Sequence, residues 1–208
     1  MAMNTIGNMA LLEGLLAANK LAPAARVVYS SSEMARGLSG FNTTPKFASD
    51  DANGVLEHIY GRNATTFHWR SMMSQLSSYG FAKLTGTLHL AQLAREQPNF
   101  YFASVSPGMT HSTAAADSAP WLMKATAPVM LPILKLTAQA HAPDVAAKRY
   151  LDVLLGTAEG EQPPSGAFVA SAWFATGPVC DQAAAYPALF RNEALQRGAA
   201  QAVRRAIQ

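Results

Sequence analysis

Apolar positions along the chain follow two kinds of pattern. Longer segments carry apolar residues at every third or fourth position, which predicts amphipathic helices. Shorter segments are continuous runs of β-branched and aromatic residues, which predict buried strands. The predicted helices cover residues 4–19, 79–96, 144–155 and 187–207. The predicted strands cover residues 26–30, 100–105 and 166–170.

The order of these elements predicts an α/β fold. Helices and strands that alternate along a chain form a parallel sheet with right-handed connections, covered by helices on both faces. We expect one domain over residues 1–208. Two long stretches depart from the alternation. Residues 33–78, with a short helix near 53–60, indicate an insertion, and the apolar stretch 114–139 indicates a candidate substrate lid.

Composition narrows the class of protein. Of 208 residues, 50% are hydrophobic and 14% charged, enough for a folded core. The net charge is +3 without a basic stripe interleaved with aromatics, so nucleic acid is not an expected partner. The arginines near the end (Arg197, Arg204, Arg205) fit the solvated face of a last helix. Cys180 is the single cysteine, which excludes an intrachain disulfide, and we expect it to be a buried thiol.

Neither a signal peptide nor a membrane span is predicted. The first residues lack basic positions before their apolar run. The longest apolar run, 125–134, contains Pro128 and Pro132 and falls short of the roughly 20 residues that a span needs. A cytoplasmic location is therefore expected.

Tyr79 and Lys83 are the first candidates for chemistry. Residues four apart lie on one face of a helix. A free tyrosine has a pKa of about 10 and is a poor acid or base at neutral pH, but a nearby ammonium favours the phenolate. The pair could thus move a proton to or from an alcohol or ketone. From spacing alone, an interfacial tyrosine beside a snorkelling lysine explains it equally well.

The order of motifs around this pair resembles the short-chain dehydrogenase/reductase family. That family shows an Asn opening a helix with a Gly three places on, a strand that ends in paired serines, Tyr-x-x-x-Lys, and a strand that ends in Pro-Gly with hydroxyl residues after it. The corresponding segments are Asn4-Thr5-Ile6-Gly7, Arg26 to Ser32, Tyr79 to Lys83, and Val105 to Ser112.

The resemblance implies catalytic roles for four residues. Tyr79 would be the general acid/base, and Lys83 would favour its phenolate form and bind the nicotinamide ribose. Ser32 would orient the substrate carbonyl, with Ser31 as the alternative because three serines leave the register open by one. Asn4 would hold a water that links Lys83 to solvent. Asn4 could equally be a helix N-cap, and the serines could satisfy backbone groups at the strand end.

It also implies a cofactor, NAD or NADP. Pro107 and Gly108 would shape the wall around the nicotinamide, with Tyr79 and Lys83 beside them, and Thr110, Ser112 or Thr113 would reach its amide or phosphate. Pro-Gly is also an ordinary turn signal. The substrate would be a small alcohol or carbonyl compound. The long connection 33–78 favours the branch that resembles retinol dehydrogenases and protochlorophyllide reductases. The apolar residues of 114–139 indicate a hydrophobic substrate or a lid, and core packing explains them equally well; they are Trp121, Leu122, Met123, Met130 and Leu131.

One departure from the family is large. The strand, glycine-rich turn and helix that seat a dinucleotide's pyrophosphate have no counterpart here. The resemblance therefore predicts a truncated Rossmann-like sheet that lacks the N-terminal dinucleotide-binding strands, with an open edge at 26–30. In the family the helices at 4–19 and 79–96 pair between subunits, so a homodimer is expected. The alternative hypothesis is a catalytically silent remnant or an interaction protein.

Overall fold

The order of helices and strands agrees with the predicted alternation. The computed structural model describes residues 5–37, 44–60, 69–110, 140–157, 162–172 and 175–208. The helices are α1 (Gly7–Ala17), α2 (Ala52–Tyr60), α3 (Trp69–Glu96), α4 (Pro143–Leu155), α5 (Pro187–Phe190) and α6 (Glu193–Ile207). The strands are β1 (Arg26–Ser30), β2 (Tyr101–Val105), β3 (Ala167–Ser171) and β4 (Val179–Asp181), and a 3-10 turn, Glu33–Ala35, follows β1.

The strands form one sheet in the order β1-β2-β3-β4. The first three are parallel, with Ser30 opposite Val105 and Val105 opposite Val169. The α/β class is therefore confirmed. The fourth strand is antiparallel to β3 and was not predicted. Asp181 is the last residue of this strand.

Helices cover both faces of the sheet. Alternate residues of β2 point to opposite faces. Phe102 packs with Met9 of α1, Leu93 of α3 and Val203 of α6. On the other face, the neighbouring residues of β2 and β3 pack against one residue of α4; this cluster is Ala103, Val105, Val153, Ala167 and Val169. The sheet is thus buried on both sides, as its apolar runs predicted.

Helix α3 is longer than predicted. It begins at Trp69, ten residues before the predicted start at 79. Ser77, Ser78 and Gly80 are poor helix formers and hid this start in the sequence. Gly86 lets the helix approach β1 closely, since a Cβ there would lie 2.6 Å from the Tyr29 hydroxyl.

Three local predictions were wrong. The last helix is broken into α5 and α6, and Asn192 caps the latter by accepting a hydrogen bond from the Leu195 amide at 3.1 Å. Cys180 is exposed. Arg204 is not simply solvated but binds carboxylates of two other helices.

None of the helices in the described part of the chain combines the length and the apolarity that crossing a membrane requires.

Candidate active site

The carboxyl ends of the three parallel strands bring the predicted motifs to one edge of the sheet. The Ser31 amide donates to the Val105 carbonyl at 2.8 Å, and the Ser106 amide donates to the Val169 carbonyl at 2.8 Å. The serines that follow β1 and the Pro107-Gly108 turn that follows β2 are therefore neighbours. Ligand sites of open α/β sheets lie at this edge.

Tyr79 and Lys83 lie at this edge on one face of α3. Tyr79 is 36% exposed, whereas Lys83 is 7% exposed. The Lys83 Nζ donates to the Ser30 carbonyl oxygen at 2.8 Å, and it lies 5.7 Å from the centre of the Tyr79 ring and 5.3 Å from that of the Tyr29 ring. Burial lowers the pKa of Lys83. A desolvated ammonium thus stands between a strand end and an accessible phenol.

A glycine beside Tyr79 allows α3 to lie this close to the strand end. A Cβ on Gly80 would lie 2.7 Å from the Met34 carbonyl oxygen, so any side chain there would push the helix away from the turn after Ser32. The Thr5 hydroxyl, at the start of α1, donates to the Ala82 carbonyl at 2.6 Å. Both contacts fix the segment that carries Tyr79 and Lys83.

Ser31 and Ser32, the two serines that follow β1, have different partners. The Ser31 hydroxyl is buried and lies 2.8 Å from the Thr87 hydroxyl. The Ser32 hydroxyl accepts from the Met34 amide at 3.3 Å as the cap of the 3-10 turn, and this residue is half-buried. Ser31 is therefore engaged in the core, and Ser32 is the more accessible of the two candidates.

Two further tyrosines surround Lys83 and Ser30. Burial, with a smaller effect of Tyr79, raises the pKa of Tyr29 to about 12. The Tyr150 hydroxyl lies 2.8 Å from the Ser30 Oγ, and burial, again with Tyr79 as a lesser cause, raises its pKa. Both phenols therefore stay protonated at neutral pH.

The Pro107-Gly108 turn closes the other side of the edge. Gly108 has φ of +74°, and the Thr110 hydroxyl lies 3.5 Å from the Gly108 carbonyl oxygen. Thr110 also forms a parallel bridge with His141. Three other candidate residues lie outside the described residues: Asn4, Ser112 and Thr113. The candidate lid, 114–139, lies outside them as well.

Sequence reasoning missed three residues behind this edge. Glu33 and Arg149 are buried at 4% and 6% exposure, and His141 lies with its Nε2 2.6 Å from the Pro107 carbonyl oxygen. For Arg149 a signal existed, because its position continues the apolar stripe of Ala146 and Val153 along α4.

No family model matches the chain, and no curated protein matches it significantly. Its chemistry therefore rests on the residues themselves. Among the described residues no group of three or more His, Cys, Asp or Glu side chains could hold a metal ion. What the edge does offer is an accessible phenol, a buried ammonium and a serine hydroxyl, a set suited to proton transfer at an alcohol or carbonyl oxygen.

Proposed function

We propose that this chain is an NAD(P)-dependent oxidoreductase of the short-chain dehydrogenase/reductase type that interconverts an alcohol and a ketone or aldehyde. The observation that carries the proposal is the Lys83 ammonium, held by the Ser30 carbonyl oxygen at 2.8 Å and 5.7 Å from the Tyr79 ring. Buried cations are costly unless they are hydrogen-bonded, which favours a role for the charge beside the phenol.

In this reaction Tyr79 transfers the proton. Its hydroxyl donates to the carbonyl oxygen as that oxygen gains charge, and the resulting phenolate takes a proton back in the reverse direction. The Lys83 charge stabilises the phenolate. The Ser32 hydroxyl, whose oxygen accepts from the Met34 amide, keeps its own proton to donate to the substrate oxygen.

The residues at this edge fit the nicotinamide half of the cofactor. The Lys83 ammonium has three N–H groups, of which one is used on Ser30, so the others can bind ribose hydroxyls. Pro107 restrains the turn beside this site, and Gly108 supplies the positive φ of +74° that the turn requires. NAD or NADP, when bound, supplies or accepts the hydride. Asn4, Thr110 and Ser112 remain assigned to this site by proposal only.

The fold supports the same proposal. Parallel strands with helices on both faces are what the C-terminal part of a Rossmann-like domain would show. The retinol dehydrogenase-like branch and a hydrophobic substrate are part of the proposal and decide which compounds are tested first.

Turnover tests the proposal. Purified protein is given NADH or NADPH with a panel of hydrophobic aldehydes and ketones, and absorbance at the reduced-nicotinamide band is followed. We expect Tyr79→Phe to lower kcat about 100-fold or more. Tyr101→Phe is the matched control, since the Tyr101 hydroxyl donates to Pro163 at the other end of β2, and it should keep wild-type turnover. Equal rates in both variants would contradict the role of Tyr79.

One observation favours a second candidate, a binding protein without catalysis. Among the described residues β1 pairs on one side only, and a cleft of about 350 Å³ lined by Leu11, Leu15 and Val28 lies beside it. Leu11 is 65% exposed. Association of two copies through this surface stays a prediction, checked by light scattering of the wild type and Leu11→Glu. Concentration-dependent dimers without any turnover would favour this candidate.

A further inference from the structure

The Pro107-Gly108 turn is enclosed by three segments that are distant in sequence. A Cβ on Gly108 would lie 2.5 Å from the Arg149 Nη1, 2.6 Å from the His141 Cε1 and 2.7 Å from the Ala175 carbonyl oxygen. The Met109 amide also donates to the Ala175 carbonyl at 2.7 Å. The position of the turn is therefore set by what lies behind it.

Arg149 is the charged group in this enclosure. Its Nη1 donates to the Ser171 hydroxyl at 3.0 Å and its Nη2 to the Gly177 carbonyl at 2.9 Å. Ser171 is the last residue of β3, and Gly177 lies in the connection that follows this strand. The guanidinium therefore links α4 to the end of β3 beside the Pro107-Gly108 turn. Only 6% of Arg149 is exposed.

Glu33 connects this group to the serine side of the edge. It follows Ser32 directly, and its Oε1 accepts from the Ser171 amide at 3.0 Å and lies 4.0 Å from the Arg149 Nη1. Its Oε2 lies 2.7 Å from the Arg36 Nη2. Ser171 thus binds Glu33 through its amide and Arg149 through its hydroxyl.

We propose that Glu33 and Arg149 are positioning residues, which fix the separation between Ser32 and Gly108 and so align the substrate oxygen with the nicotinamide wall. The inference rests on the proposed function. An apolar pair of similar volume would often stabilise a protein as well as a buried ion pair does, so stability alone does not require charges here. Alignment does, because a displacement of about 1 Å in a reacting group can cost about 100-fold in rate.

Glu33→Gln, Arg149→Met and Arg149→Lys test the proposal, with Arg204→Met as the control that removes a guanidinium far from this edge. Cofactor affinity is measured by reduced-nicotinamide fluorescence, turnover by absorbance, and local protection by hydrogen exchange at the Met109 amide in the free protein. We expect Arg149→Met to lower kcat by about 10-fold to 100-fold, to weaken cofactor binding and to speed exchange at Met109. Glu33→Gln keeps an acceptor for the Ser171 amide and should lower kcat by a smaller factor.

Arg149→Lys separates positioning from simple support. It keeps the charge but not the two-pronged donor geometry, so we expect a melting temperature nearer to the wild type than that of Arg149→Met, with kcat only partly recovered. Two results would refute positioning. One is hydrogen exchange that rises at every core amide in proportion to the lost stability. The other is that kcat, cofactor affinity and Met109 exchange all stay at wild-type values. Should Arg149→Met not fold, Glu33→Gln and Arg149→Lys decide between the same outcomes. A wild-type protein that neither binds nor reduces anything refutes the proposed function itself, whereas an active wild type with unaffected variants refutes only the positioning role.

Discussion

Two clusters of charged residues lie at opposite ends of the sheet and differ in their contact with water. The Glu33 cluster (Glu33, Arg36 and Arg149), at the carboxyl ends of the strands, is buried throughout. The Arg204 cluster (Glu13, Glu96 and Arg204) joins α1, α3 and α6, and its side chains are 24%, 33% and 37% exposed. Both clusters tie three or more segments together.

The difference indicates that the two clusters serve different needs. Part-exposed pairs such as those of Arg204 contribute modestly to stability and hold helices in place. Fully buried charges carry a large desolvation cost, and a fold that needed only packing would do as well with apolar residues. The buried cluster lies directly behind Ser32 and Gly108, whereas the hydrogen bonds and ion pairs of the part-exposed cluster involve none of the site residues that the structure describes.

Removing one charge from each cluster should give the largest contrast. Glu33→Ala removes the carboxylate that faces the buried Arg36 and Arg149 guanidinium groups and accepts from the Ser171 amide, so we expect the free energy of unfolding to fall by about 3–5 kcal/mol. Arg204→Met should lower it by about 1 kcal/mol. Urea unfolding of both variants measures the difference. Similar losses would mean that the two clusters are energetically equivalent.

Alanine substitutions at two glycines, Gly108 and Gly14, should change the free energy of unfolding in opposite directions. Gly108→Ala forces a side chain onto a residue with φ of +74° and into contact with Arg149, and we expect a loss of about 1–3 kcal/mol. Gly14 lies within α1, where an added Cβ would meet no atom within 4 Å, so Gly14→Ala should stabilise by about 0.5–1 kcal/mol. Thermal unfolding of both variants measures these changes. A Gly108→Ala protein as stable as the wild type would argue against a tightly enclosed turn.

A pH dependence of stability is also expected from the Arg204 cluster. Hydrogen bonding to His89, supported by Arg204 and opposed by burial, lowers the pKa of Glu13 from 4.5 to about 2. A carboxyl group whose pKa is lower in the folded state stabilises the fold at pH values above its unfolded pKa. This stabilisation is lost as the pH falls from about 4.5 towards 2. The difference in unfolding free energy between wild type and Glu13→Gln should therefore shrink across that window. A constant difference would contradict the assignment.

The sequence predicted the strands and helices of the site better than their surroundings. Runs such as Val27-Val28-Tyr29 mark β1 unambiguously, and the register of parallel strands then brings Ser32 and Gly108 to one edge. The strand β4 escaped prediction because three residues pair through tertiary contacts and carry no periodic signal.

The buried charges could not be predicted with the same rules. Glu and Arg are almost always exposed unless paired, so Glu33 in a polar stretch looks like a loop residue. Its partner Arg149 comes from a helix more than one hundred positions away, and only the packing of α4 against β1 to β3 shows that they meet. Only for Arg149 did the sequence indicate burial, because this charged residue lies on the apolar face of α4.

Binding of reduced nicotinamide is the most direct test of a dinucleotide site at Lys83. NADH and NADPH are each titrated into wild type, Lys83→Met and Lys148→Met, and the shift in nicotinamide fluorescence is recorded. Lys148 is the matched control because its side chain is 63% exposed and forms an ion pair with Asp152 on the same helix. We expect saturable binding that Lys83→Met weakens at least about tenfold, a loss of about 1.4 kcal/mol, and that Lys148→Met leaves unchanged. Equal binding by all three proteins, or no binding by the wild type at millimolar cofactor, would contradict this expectation.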